Sequence, residues 1–377
     1  MLARFVIAVF ATLLVVAASN RDDVAAMLQQ SRKDMEPSQL QMTQADSWEN
    51  MALGRLMLKV KEECLSSTQL CLPALIEARH GVWPYVQAEL GKELKPYEPR
   101  SFTADFASTR LKDEVCHGKT FFLLHVWKAV GWGAMQNLGK LAGTYQRHNL
   151  EAWHNDLLAE DCQNVSHPST FTFVRNPLAR FISGYAQLEH YHQEAMEHRK
   201  NFPPNPVLNH LTGKPGSVGR AKQFLDRFFV DGVLRDGHVR PQSEFFVKPY
   251  GSKCFLAVDF VGKTENVVED WKRFLESQQC HVITQFNLTK GRHENSIGTK
   301  QALADAAEIG GASSFVELQS AAKESMEAQL FQGAYLRALC WLYLVDYVMF
   351  SYDLPRGCDH PHMLHIAHLA NISVSDS

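Results

Sequence analysis

The sequence predicts an α/β fold, a single domain with a central parallel sheet flanked by helices. Three observations carry this. Short apolar runs recur at 120–126 (TFFLLHV), 169–177 (STFTFVRNP) and 254–265 (CFLAVDFVGKTE). Each is followed by apolar residues at helical spacing, and strands alternating with helices build parallel sheets through crossover connections. The first two runs also end beside a cation, Lys128 and Arg175. Ligands bind at the carboxyl ends of strands in open α/β sheets. A chain of 377 residues has room for one such domain with accessory segments.

Taken in order, residues 1–19 open with one basic side chain and a fourteen-residue apolar stretch, Phe5–Ala18, that ends in small residues. As a helix it spans about 21 Å, short of a bilayer core of roughly 30 Å. It therefore reads as a secretory signal peptide or a short signal-anchor. Residues 20–100 are polar and helix-compatible and read as a stem or accessory helical region; the prolines of KELKPYEPRSF close it. The main domain is expected over 101–357, with a histidine-containing tail at 358–377.

Within the domain, strands are expected at about 120–126 and 170–175. GAMQNLGKLAGTYQRH (133–148) reads as a helix, LARFISGYAQLEHYHQEAMEHRK as a second, and NVVEDWKRFLESQQC as a third, opened by Asn266. NFPPNPVLNHLTGKPGSVGR (201–220) reads as a long surface loop because it is rich in Pro, Gly and Asn.

A net charge of −3 gives no general attraction to nucleic acid or anionic membrane, so any polyanion site is a local patch. No nucleic-acid partner is expected, and membrane association only through an uncleaved N-terminal segment. Eight cysteines without a CxxC fit an oxidising compartment and argue against zinc ribbons. Cys64 and Cys71 are the expected local pair, since closing so short a loop is easy. Sequons at Asn164, Asn287 and Asn371 lean the same way.

HVWKAVGWG, a strand followed by a glycine-containing turn and a helix, presents backbone N–H groups to an anion, and Lys128 adds a full positive charge. It is not the nucleotide-triphosphate pattern GxxxxGK[ST]: the lysine precedes the glycines and no hydroxyl follows for magnesium. FTFVRNPLARFISGY places Arg175 at a strand end and Ser183 eight residues on, a guanidinium fork and a hydroxyl suited to one phosphate.

Together these stretches resemble the membrane-associated carbohydrate sulfotransferases, which use 3′-phosphoadenosine 5′-phosphosulfate (PAPS). FFLLHVWKAVGWG is similar to their 5′-phosphosulfate loop and FVRNPLARFISGY to their 3′-phosphate motif. DGHVRPQSEFF, DFVGKTENVVEDW and LYLVDYVMFSYDLP follow in the family's order, so the resemblance covers roughly 119–355. It implies a P-loop-like sulfotransferase domain in the secretory pathway, in the Golgi lumen or secreted. PAPS would be held by Lys128, the backbone of Ala129, Val130, Gly131, Trp132 and Gly133, and by Arg175 and Ser183. Val130 stands where the family usually has Gly, and Trp132 and Gly133 where it has hydroxyl residues, so a hydroxyl contact to the sulfuryl group is lost.

The implied reaction moves a sulfuryl group to a carbohydrate hydroxyl, with Lys128 stabilising the leaving group and no metal required. AWHNDL looks like the segment that carries the base in heparan 6-O-sulfotransferases, which implies His154; His238 in GHVRPQ is the second candidate. The acceptor would be a glycosaminoglycan or another glycan, with Arg199, Lys200, Lys214, Arg220 and Lys222 as a possible basic groove. Two further readings stand beside this one, a P-loop-like phosphotransferase and a catalytically silent glycan-binding relative. The C-terminal Cys358, His360, His362, His365 and His368 match no zinc spacing.

Overall fold

The computed structural model describes residues 51–64, 71–95, 105–130, 134, 137, 141–148, 169–198, 208–230, 236–246, 258–281, 313–331 and 333–375. Leu53–Ser377 forms one compact unit; of the other, Met1–Ala52, only the last two residues are described. The apolar segment Phe5–Ala18 lies outside the described residues. No described helix is long and apolar enough to cross a membrane.

Five strands form one sheet: β1 (Asp105–Leu111), β2 (Thr120–His125), β3 (Ala142–His148), β4 (Ser169–Val174) and β5 (Phe260–Lys263), in the order β3-β1-β2-β4-β5. β2 pairs with β4, and β4 with β5, in parallel. This is the expected parallel core. β2 and β4 are buried along all but their first residue, which is why both read as unbroken apolar runs. The buried Thr172 hydroxyl donates to the Leu124 carbonyl at 2.7 Å, joining β4 to β2. At Gly262 on β5 a Cβ would fall 2.5 Å from the Phe173 ring, so only glycine lets β5 close on β4.

β1 is antiparallel to both β2 and β3 and widens the sheet at one edge. The helix expected over 133–148 is corrected in its second half: Ala134, Asn137 and Leu141 are helical, but Ala142–His148 is strand β3. The unpaired edge of β1 offers a ladder that this short run, with Thr144 and Tyr145, fills in preference to its helical spacing.

The helices are α1 (51–64), α2 (Cys71–Leu90), α3 (Asp113–Cys116), α4 (Pro177–His198), α5 (Val218–Phe228), α6 (Val267–Ser277), α7 (Ser313–Leu330), α8 (Ala334–Met349) and α9 (Pro361–Leu369). The apolar faces of α1 (Leu53, Met57, Val60) and α2 (Ala74, Ala78, Val82) share one core with α4, α5 and the fully apolar α8. Arg79 of α2 is buried in an ion pair with Asp346 of α8 at 2.7 Å. Asp346 also accepts from the backbone N–H groups of Gln242 and Ser243. Residues 53–95 and 358–375 thus belong to the same packed body as the sheet, and Met363, Ile366 and Ala367 seat α9 in its core.

Three disulfides lie within the described residues. Cys64–Cys71 is the expected local pair, Cys340–Cys358 ties the C-terminal segment to α8, and Cys116–Cys280 joins α3 to the residues after α6. Such bonds belong to an oxidising, secretory-type environment.

Candidate active site

β2 and β4 are adjacent parallel strands, so their carboxyl ends emerge side by side. After β2 the chain turns through Trp127–Val130, where Lys128 (φ 68°) and Val130 (φ 57°) are both left-handed. That conformation costs an L-residue roughly 1–2 kcal/mol, and a β-branched valine is rarely found in it. Glycine in the resembled motif is therefore the residue this backbone prefers. The Lys128 ammonium donates to the Gln187 side-chain carbonyl on α4. Gly131, Trp132 and Gly133 lie outside the described residues.

Arg175 follows β4 directly. Gln242 fixes its backbone from both sides: Oε1 accepts from the Arg175 N–H at 2.8 Å and Nε2 donates to its carbonyl at 2.6 Å. Asn176 then accepts from the Ala179 N–H at 3.1 Å and Pro177 starts α4, a standard capped opening. The Arg175 guanidinium is buried and makes no hydrogen bond or ion pair among the described residues. Burial lowers its pKa, while Glu265 and Tyr352 act in the opposite direction. Glu265 is already engaged, accepting from the Asn176 N–H and the Tyr352 hydroxyl, both at 2.8 Å. Ser183 lies two turns into α4 and is also buried.

Arg180, which sequence reasoning passed over, joins these parts. Fully buried, it donates to the carbonyls of Trp127 (2.8 Å), Gly237 (2.6 Å) and Arg240. One side chain thus holds the residue before Lys128 and the 236–240 loop against α4. Burial lowers its pKa to about 10, so it remains charged at neutral pH. The signal available was a second arginine five residues after the first, inside the same motif.

The loop held by Arg180 carries His238. Its Nδ1 lies 2.8 Å from Asp236 Oδ1, which also accepts from the His238 N–H at 2.9 Å. The ring packs against Trp127, with centroids 4.6 Å apart, and against Tyr191. Burial lowers its pKa, Asp236 opposes that, and the charges of Lys128 and Arg180 add to it. At Gly184 a Cβ would fall 2.1 Å from the His238 carbonyl oxygen, so the serine–glycine pair after Ile182 is what lets this loop sit on α4. Lys128 and the His238 loop are thus both held on α4, the helix that carries Ser183 and begins two residues after Arg175. His154 lies outside the described residues.

Two other expectations change. The surface loop expected over 201–220 is partly ordered core. Leu208 and Leu211 are buried and α5 begins at Val218. Arg220 is not available for a basic groove, because it is buried with its Nε–H shared between the two carboxylate oxygens of Glu189, at 2.8 and 2.9 Å. Lys222 is tied to Asp226 at 2.7 Å. Cys358 is oxidised with Cys340 and His360 caps α9, so neither belongs to a histidine cluster for metal. Among the described residues no group of three or more His, Cys, Asp or Glu is placed to hold a metal ion.

A profile of the sulfotransferase family matches residues 115–353. Searches for similar curated proteins and for similar solved structures return no match. The matched span runs from within α3 to just past α8 and contains Lys128, Arg175, Ser183 and the 236–240 loop, and by it the chain belongs to the sulfotransferase family.

Proposed function

We propose that the protein transfers a sulfuryl group from PAPS to a hydroxyl of a glycan in the lumen of the secretory pathway, in the Golgi if the N-terminal segment anchors it. The observation that carries this reading is Arg175, largely buried at the end of the strand beside that of Lys128, whose guanidinium has no hydrogen-bond or ion-pair partner among the described residues. Burying a cation without a partner is unfavourable, so the site is built for an anion that arrives with the substrate. A nucleotide bearing a 3′-phosphate fits that donor set: Arg175 and Ser183 bind the 3′-phosphate, and Lys128 with the amides of the following turn binds the 5′ side.

PAPS supplies the activated sulfuryl group when bound. Lys128 stabilises negative charge on the leaving side, a role usually worth 10²–10³-fold in turnover. His238 accepts the acceptor's hydroxyl proton at Nε2, while Asp236 on Nδ1 fixes the tautomer and ring orientation. Its contact with Trp127, next to Lys128, favours it as base. Disulfides and the surface sequon at Asn371 support a lumenal, glycosylated protein.

The test is transfer of labelled sulfate from PAPS to a panel of desulfated glycosaminoglycans and glycoprotein glycans. Transfer to at least one acceptor, lost in Lys128→Met, supports the reading. Nucleotide binding without transfer to any acceptor supports a silent glycan-binding relative. Phosphate transfer from ATP supports a phosphotransferase.

A further inference from the structure

α7 packs along α4, and the Gln319 amide donates to Gln187 Oε1 at 3.2 Å. Gln187 is the residue that also receives Lys128. From this crossing point α4 leads back to Ser183 and Arg175, while α7 leads forward to Lys323, one turn beyond Gln319. Residues four apart share a helix face, so Lys323 lies on the side of α7 that carries Gln319, as Ser183 lies on the side of α4 that carries Gln187. Lys323 is half-buried and makes no hydrogen bond or salt bridge among the described residues. Burial lowers its pKa and the charge of Arg175 lowers it further, against the opposing pull of Glu327. Two desolvated cations are thus held within each other's field, and the carboxylate that acts on Arg175, Glu265, is committed elsewhere. Such a pair is unfavourable in the empty protein and becomes favourable when a dianion joins it.

We propose that Lys323 is a second cationic ligand of the nucleotide's 3′-phosphate, closing with Arg175 and Ser183 a three-sided clamp that spans α4 and α7. This rests on the nucleotide reading above and adds a residue from a helix outside both of the recognised motifs. A point charge complements the fork of Arg175: the guanidinium fixes the phosphate's orientation, and the ammonium neutralises its second charge.

The experiment is calorimetric titration of 3′-phosphoadenosine 5′-phosphate, and of adenosine 5′-phosphate, into wild type, Lys323→Gln and Lys323→Arg, with thermal melts of each empty protein. The clamp predicts that Lys323→Gln binds the bisphosphate at least about tenfold more weakly while its affinity for the monophosphate is unchanged. Lys323→Arg should stay within about threefold of wild type. The empty Lys323→Gln protein should melt at the wild-type temperature or above it, because a repulsion has been removed; a structural lysine would give a lower value. Bisphosphate affinity within twofold of wild type in Lys323→Gln, equal loss for both nucleotides, or a lowered melting temperature would each overturn the clamp alone. A wild-type protein that does not bind the bisphosphate would instead overturn the nucleotide reading, and the clamp with it.

Discussion

Replacing Arg180 by methionine tests how the site is held together. Methionine occupies similar volume in the core but strands three buried carbonyls, those of Trp127, Gly237 and Arg240. Each orphaned acceptor costs about 1–3 kcal/mol, and loss of the stacking on Phe245, 5.4 Å from the guanidinium carbon, adds to that. Removing the desolvated cation gives part of this back, so the net destabilisation is about 3–5 kcal/mol, set by the carbonyls left without a donor. A domain stable by about 5–15 kcal/mol survives that, weakened. Arg180→Lys keeps the charge but not the three-way fork, and should lie between the variant and wild type. Urea unfolding followed by tryptophan fluorescence measures the loss as a lower midpoint at unchanged slope. Because Trp127 precedes Lys128, the folded variant should also bind 3′-phosphoadenosine 5′-phosphate more weakly. A wild-type midpoint and wild-type affinity in Arg180→Met would refute the claim that this side chain organises the site.

Three further outcomes are expected. The pKa of His238 is held below the ordinary histidine value, chiefly by burial, so the acidic limb of the kcat/KM profile should fall below about pH 6.5. Asp236→Asn removes the influence that raises it, and should move that limb to still lower pH while reducing turnover. The sign for stability follows: with the folded pKa depressed, the unfolded chain protonates first, so His238's contribution is present above its unfolded pKa and lost as pH falls. A denaturation series across that range checks it. At Val130 the left-handed backbone makes Val130→Gly more stable than Val130→Ala by about 1 kcal/mol, since alanine retains the strain and glycine does not. Equal midpoints for the two would show that the turn is not left-handed there.

β2 and β4 were legible because both faces are covered, so each is an unbroken apolar run with a cation at its end. β1 and β3 were not. β3 lies at the sheet edge and β1 between it and β2; both are of mixed polarity, and what defines them is antiparallel pairing rather than their own pattern. α1 shows its buried stripe at Leu53, Met57 and Val60 in sequence, but nothing local reveals that its core extends to α8 and α9. Arg175 and Ser183 came from a spaced motif. Arg180 was given no role of its own and Arg220 was placed in a basic groove, because the carbonyls and carboxylate that bury them are brought in by tertiary packing. His238 was the second candidate for the base in the sequence, but its pairing with Asp236 and its packing on Trp127, more than a hundred residues earlier in the chain, come from the fold.

On the proposed function, the crevice beyond β2 and β4 holds a 3′-phosphorylated adenine nucleotide through Arg175. Calorimetry of 3′-phosphoadenosine 5′-phosphate binding to wild type and to Arg175→Ala, with ATP as the competing nucleotide, tests it most directly. The account predicts one site in the wild type, much weaker binding of ATP, and at least a thirtyfold loss of bisphosphate affinity in a folded Arg175→Ala, which corresponds to about 2–3 kcal/mol for charge-assisted bonds. Equal affinity in the two proteins, or tighter binding of ATP than of the bisphosphate, would contradict it.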